Sequence, residues 1–187
     1  MRGQGAALRR ILDGIYLIAG YLAGLFLIIV FLLMAAMSLG RGFSLNIPAG
    51  DDFAAWSMCA MAFLGLAHTF KSGELIRIGL VIDRLPPRAR YVVELICLLI
   101  GTATIGFFAW HAVIMTYQSY EFEDVSQGVV AVPLWIPQLG YSVGLVILAI
   151  AFVDELVRVI AGNKPCYVKD PPATPEELVA RAAEGAV

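Results

Sequence analysis

The sequence predicts an all-α integral membrane protein of four transmembrane helices, N-in/C-in, with an amphipathic helix lying in the interface between helices 2 and 3. Three observations predict it. Of 187 residues, 60% are hydrophobic and only 15% charged, with a mean hydropathy of +0.81. A soluble domain is nearer half apolar and a quarter charged, so the surplus must face lipid. Four apolar runs are long enough to cross a bilayer, and the basic residues fall on alternate connections. The net charge of −2 gives no basic surplus for phosphates and argues against a nucleic-acid partner.

A hydrocarbon core of ~30 Å needs about 20 apolar residues in a helix. The first run, residues 15–39, has no charged residue and follows Arg9 and Arg10. Its length exceeds the ~7–15 apolar residues of a cleaved signal, so it is expected to stay as an anchor. The second run, 53–70, lies between Asp51 and Asp52 on one side and Lys71 on the other. The third, 91–117, has Glu94 as its only acid, near its start and within reach of headgroups or Arg90. The fourth, 134–153, precedes Asp154 and Glu155. Residues 1–163 are thus expected to form the membrane domain, and 164–187 a short cytoplasmic tail.

Lysine and arginine orient the spans. Arg2, Arg9 and Arg10 precede the first, and only Arg41 lies in the first connection. The second connection carries Lys71, Arg77, Arg84, Arg88 and Arg90. The third carries none, but holds Glu121, Glu123 and Asp124, and basic residues return after the fourth span. Cytoplasmic placement of the N-terminus, second connection and tail leaves one basic residue outside. Trp56 and Trp135 then sit near outer span ends, as interfacial anchors, with Trp110 about two turns inside the third.

The second connection mixes apolar residues such as Leu75, Ile76 and Leu80 with Arg77, Arg84 and Arg88. It is too short and too charged to span, and fits a helix lying among headgroups, with those arginines as interface anchors. An ordinary basic loop is the alternative. In the tail, Thr174-Pro175-Glu176-Glu177 reads as a capped start of a short helix to about Ala183. G-x-x-x-G spacing occurs at Gly20/Gly24 and Gly140/Gly144, with Gly65/Thr69 a weaker version. Such pairs let helix backbones approach, within the chain or in a partner, although glycine is common in membrane helices generally.

The interior says as much by what it lacks. No Asp, Glu, Lys or Arg occupies the central part of any run, whereas transporters place ionisable groups there. His68 and His111 are expected to differ in depth by roughly 25 Å at ~1.5 Å per residue, too far to share one haem iron. Cys59, Cys97 and Cys166 form no metal or redox motif and read as small buried apolar residues. No catalytic constellation, metal site or cofactor site is expected in this chain, which is therefore not an enzyme on this reading.

From Asp51 to Arg90 the pattern resembles a known family: the small membrane subunit, DctQ-type, of tripartite ATP-independent periplasmic (TRAP) transporters. The matching features are the acidic helix start, Trp56, Phe63-Leu64-Gly65, G-E-L-I-R-I at 73–78 and D-R-L-P-P-R-A-R at 83–90. Val132 to Pro137, V-P-L-W-I-P, is similar to the family's opening of the last helix. Leu75 stands where the family usually has histidine, which weakens any role for that histidine here.

The resemblance implies a non-catalytic subunit of a sodium-coupled organic-acid importer in a bacterial inner membrane. It implies three partners: a large permease, which would hold the sodium ions, a periplasmic substrate-binding protein, and lipid. Asp51, Asp52, Glu121, Glu123 and Asp124 are then the candidates for docking the binding protein. A stand-alone channel or transporter, the anchor subunit of a redox enzyme, and an assembly factor are the rival readings.

Overall fold

A computed structural model describes residues 2–43, 47–72 and 86–162. Four helices account for most of them: α1 (Arg2–Gly42), α2 (Gly50–Ser72), α3 (Pro87–Glu121) and α4 (Trp135–Ile160). Each apolar run lies in one helix. The first three overrun their runs at both ends, while α4 starts one residue inside its run and continues seven residues past it. α1 carries on because Ala7, Leu8, Arg9 and Arg10 are good helix formers with no proline among them. At ~1.5 Å per residue its 41 residues reach about 61 Å, twice the bilayer core. Among the described residues three stretches are long and apolar enough to cross a membrane: Arg9–Gly42, Gly50–Ser72 and Ala89–Glu121. α4, at 26 residues, has no charged residue before Asp154.

Local chemistry explains the ends. Arg41 in the last turn of α1, and Asp51 and Asp52 in the first turn of α2, complement the helix dipoles. Pro86 is extended and Pro87 opens α3, where its missing N–H costs nothing. Pro137 lies in the first turn of α4 for the same reason. Gly162, with φ +79°, ends α4, its N–H bonding to the Val159 carbonyl at 3.0 Å.

The helices pack in the lateral order α1–α2–α4–α3. α2 and α4 are central; α1 covers the outer side of α2, and α3 that of α4. α2 and α3, consecutive in the chain, are not neighbours. Small residues set the spacing. Ala19, Ala23, Ala60 and Leu64 form the α1–α2 core, and Ala109, Ala112 and Leu145 the α3–α4 core. A third cluster, with Tyr16, Phe70, Leu98 and Ala151, joins all four helices at one end. In lipid, close packing of this kind replaces the hydrophobic effect as the force between helices.

Some sequence expectations need correction. Lys71, Asp154 and Glu155 read as markers just outside their spans. They are helical residues packed into the chain, because α4 extends past Val153 and the opposite charges meet there. Nor are the described cysteines buried: Cys59 is half-buried and Cys97 exposed. Arg77 and Arg84, Cys166 and the tail lie outside the described residues. Arg88 falls in the first turn of α3.

Candidate functional site

Two ends of the row carry the charged chemistry. At the first, the connections α1–α2 and α3–α4 come together. α3 finishes with Glu121, and the Phe122 N–H bonds to the Gln118 carbonyl at 2.9 Å. Glu123 follows with φ +53°, a left-handed conformation that costs a non-glycine residue about 1 kcal/mol. An isolated antiparallel bridge then pairs Val125 with Pro133. Within this hairpin-like loop the Ser126 N–H donates to the Val132 carbonyl at 2.8 Å, and the Val132 N–H donates to Ser126 Oγ at 3.2 Å. The Leu134 N–H donates to the Asp124 carbonyl at 2.9 Å and launches α4.

The loop rests on the start of α2. A Cβ built on Gly128 would overlap the Asp52 carboxylate, so the loop backbone lies directly against that side chain. That contact brings the two acidic groups of the sequence to one face. Asp51, Glu121, Glu123 and Asp124 are exposed, and Asp52 is half-buried beneath the loop. Between them project apolar side chains that sequence reading did not single out: Phe122, 72% exposed, and Val129, 81% exposed. Exposed apolar and aromatic side chains are what a protein contact enriches, with charged groups kept to its rim.

Helix electrostatics separate the two acidic groups. Asp51 and Asp52 begin a helix and are favoured by its dipole. Glu121 ends a helix whose last turn has no basic residue, so the dipole opposes it. Helix capping thus explains Asp51 and Asp52 and leaves Glu121, Glu123 and Asp124 unexplained.

At the opposite end charge is buried. Lys71 Nζ bonds to Asp154 Oδ2 and lies 3.3 Å from Glu155 Oε2. The side chains of Lys71, Asp154 and Glu155 are 12%, 28% and 0% exposed. The ammonium also sits 5.5 Å from the centre of the Tyr16 ring, so α1, α2 and α4 share one cation. Nearby, Arg90 Nε lies 3.5 Å from the buried Glu94 carboxylate, one of the two partners expected for that acid. The signal that could have found Lys71 was its placement with Asp154 and Glu155 at the same membrane level.

A separate polar contact pins α3 to α4 in the other half. Thr116 Oγ1 and Ser142 Oγ lie 2.6 Å apart, both buried, and the Ala112 carbonyl accepts from this pair.

The glycines fall into two kinds. A Cβ on Gly144 would lie 2.6 Å from the Phe63 carbonyl carbon, one on Gly140 2.6 Å from Ala60 Cβ, and one on Gly20 2.9 Å from the His68 ring. Gly65 makes ordinary contact with Ala23, and no atom lies within 4 Å of a Cβ on Gly24. Gly101, not singled out from sequence, is also tight: its Cβ would meet Phe152 at 2.7 Å. His68 packs on α1, while His111 is exposed beside Phe107, with ring centres 4.4 Å apart. Among the described residues no group of His, Cys, Asp and Glu could hold a metal ion.

Residues 29–162, from within α1 through the end of α4, match the family described as tripartite ATP-independent periplasmic transporters, DctQ component. No curated protein matches the chain.

Proposed function

The chain belongs to the DctQ component family of tripartite ATP-independent periplasmic transporters, and from that premise we propose that it is the non-catalytic small membrane subunit of a sodium-coupled importer of organic acids. All four helices span a bacterial inner membrane, N-in/C-in, with the acidic face in the periplasm and the ion-paired end at the cytoplasmic side. The subunit packs beside a large permease, which carries substrate and sodium, and helps to dock the periplasmic substrate-binding protein.

One observation carries the docking role: Gly128 seats the α3–α4 loop on Asp52, gathering exposed acids from both connections on one face. Fixed negative charge there would steer a binding protein with a basic patch, acting mainly on encounter rate. A scaffold role agrees with the placement of buried charge among the described residues. Lys71, Glu94, Asp154 and Glu155 all lie at the ion-paired end, and none is at mid-depth, where a transport pathway would need them.

Purification in mild detergent followed by mass spectrometry tests the reading. The large permease should co-purify in stoichiometric amount. Solute flux through the isolated chain in liposomes would instead make it a transporter in its own right.

A further inference from the structure

α3 and α4 enclose a groove on one face of the helical row. Its outer part, about 420 Å³, lies between Val113–Tyr120 of α3 and Trp135–Ile147 of α4. Its inner part, about 760 Å³, continues from Gly106 and Val113 to Asp154 and Val157. Val113 and Val146 line both parts, so they form one channel open along its side. From Trp135 to Val157 it follows α4 for about 33 Å, the full height of a hydrocarbon core. We propose that this groove seats a transmembrane helix of the large permease, one carrying a lysine or arginine near its cytoplasmic end. The proposal rests on the family reading above and adds which surface meets the permease and what chemistry it meets.

Charge complementarity selects the occupant. The groove is almost wholly apolar, yet the Asp154 carboxylate lines its inner end. One ammonium, that of Lys71, is shared between Asp154 and Glu155, and 28% of the Asp154 side chain stays exposed. A carboxylate at the edge of hydrocarbon is costly unless paired. Permease helices have their lysines and arginines at this level by the positive-inside rule. Acyl chains from the two leaflets would cover its apolar length but would bring no second cation to Asp154 and Glu155. The floor, with Gly106, Ala109 and Ala149, is made of small residues that admit a helix closely. The outer face of α1 is apolar at Leu25, Ile28 and Leu32, and its exposed acid, Asp13, lines neither part of this groove.

Gly106 makes the test clean, because no atom of the chain lies within 4 Å of a Cβ there. Gly106→Phe therefore fills the groove without disturbing the fold, as thermal unfolding of the isolated subunit would verify. Ala36→Phe, at an exposed position on α1, is the control. Gly106→Phe should cut the permease recovered with the subunit by about tenfold, and Ala36→Phe should leave it unchanged. A photo-crosslinking residue at Val153, beside Asp154, should give an adduct on a permease helix with lysine or arginine within two turns of the linked residue.

Full recovery of permease with Gly106→Phe would overturn the proposal, as would an adduct with lipid only or with a second copy of this chain. An adduct on a permease helix with no nearby basic residue would overturn the charge argument. If the unaltered subunit recovers no permease at all, the family-based reading fails first, and the groove with it.

Discussion

At one end of the row Asp51, Glu121, Glu123 and Asp124 stand in the open with apolar Phe122 and Val129 between them; at the other Lys71 is enclosed by Asp154, Glu155 and Tyr16. The same residue types therefore serve different ends. Exposed charge contributes little to stability but sets the field that an approaching protein meets. Buried charge affects the field outside far less, but fixes which helices lie together and at what height. Stability and uptake should accordingly separate when the two ends are altered in turn.

The largest effect is expected at Lys71. Lys71→Met leaves the wholly buried Glu155 and the adjacent Asp154 without their shared ammonium. Removing one partner of a buried ion pair costs about 3–5 kcal/mol. Thermal unfolding in detergent should show a pronounced loss, largely reversed when Asp154→Asn and Glu155→Gln are added. A triple variant as unstable as Lys71→Met would mean that the lysine acts through packing and not through charge.

Gly144→Leu should come next, at about 1–3 kcal/mol, since the added side chain must push into the Phe63 backbone 2.6 Å away. Gly24→Leu, in open space, should be nearly neutral in the isolated subunit, so unfolding of the two variants side by side reads the contrast directly. Smaller again is the Thr116–Ser142 contact. Thr116→Val with Ser142→Ala should cost about 1 kcal/mol, because interhelical hydrogen bonds in membranes average about 0.6 and rarely exceed 2. A loss above 3 kcal/mol would show that the pair organises more of the α3–α4 seam than its own bond.

Gly24 and Gly144 also show where sequence stops being legible. Their four-residue spacings look alike, and only the lateral order of helices decides that one glycine faces a backbone and the other open space. Four helices could be read because lipid demands long apolar runs, and Asp51 and Asp52 marked the start of α2 through local chemistry. Helix ends were less legible: α1 and α4 continue past the apolar runs because nothing in the backbone stops them where lipid stops. The buried ion pairs joining Lys71 to Asp154 and Glu155 needed knowledge that α2 lies against α4, which hydropathy does not contain. Of the acidic face, the residues were legible from charge and topology. Its assembly was not, because it depends on Gly128 lying against Asp52, 76 positions away.

The smallest stability effects, and the most diagnostic signs, belong to that acidic face. Glu121→Lys places a cation in the last turn of α3, where the dipole favours it, and should stabilise by about 0.3–1 kcal/mol. Asp51→Lys opens α2 with the wrong charge and should destabilise by a similar amount. If these acids steer a binding protein, both variants should slow uptake by the assembled transporter at low ionic strength, and added salt should shrink the difference as the Debye length falls toward ~8 Å. Opposite changes in stability with a shared loss of uptake cannot come from folding alone. Uptake that instead followed the stability of each variant would reduce these carboxylates to helix-end electrostatics, and the docking surface would have to lie among the apolar residues around Phe122.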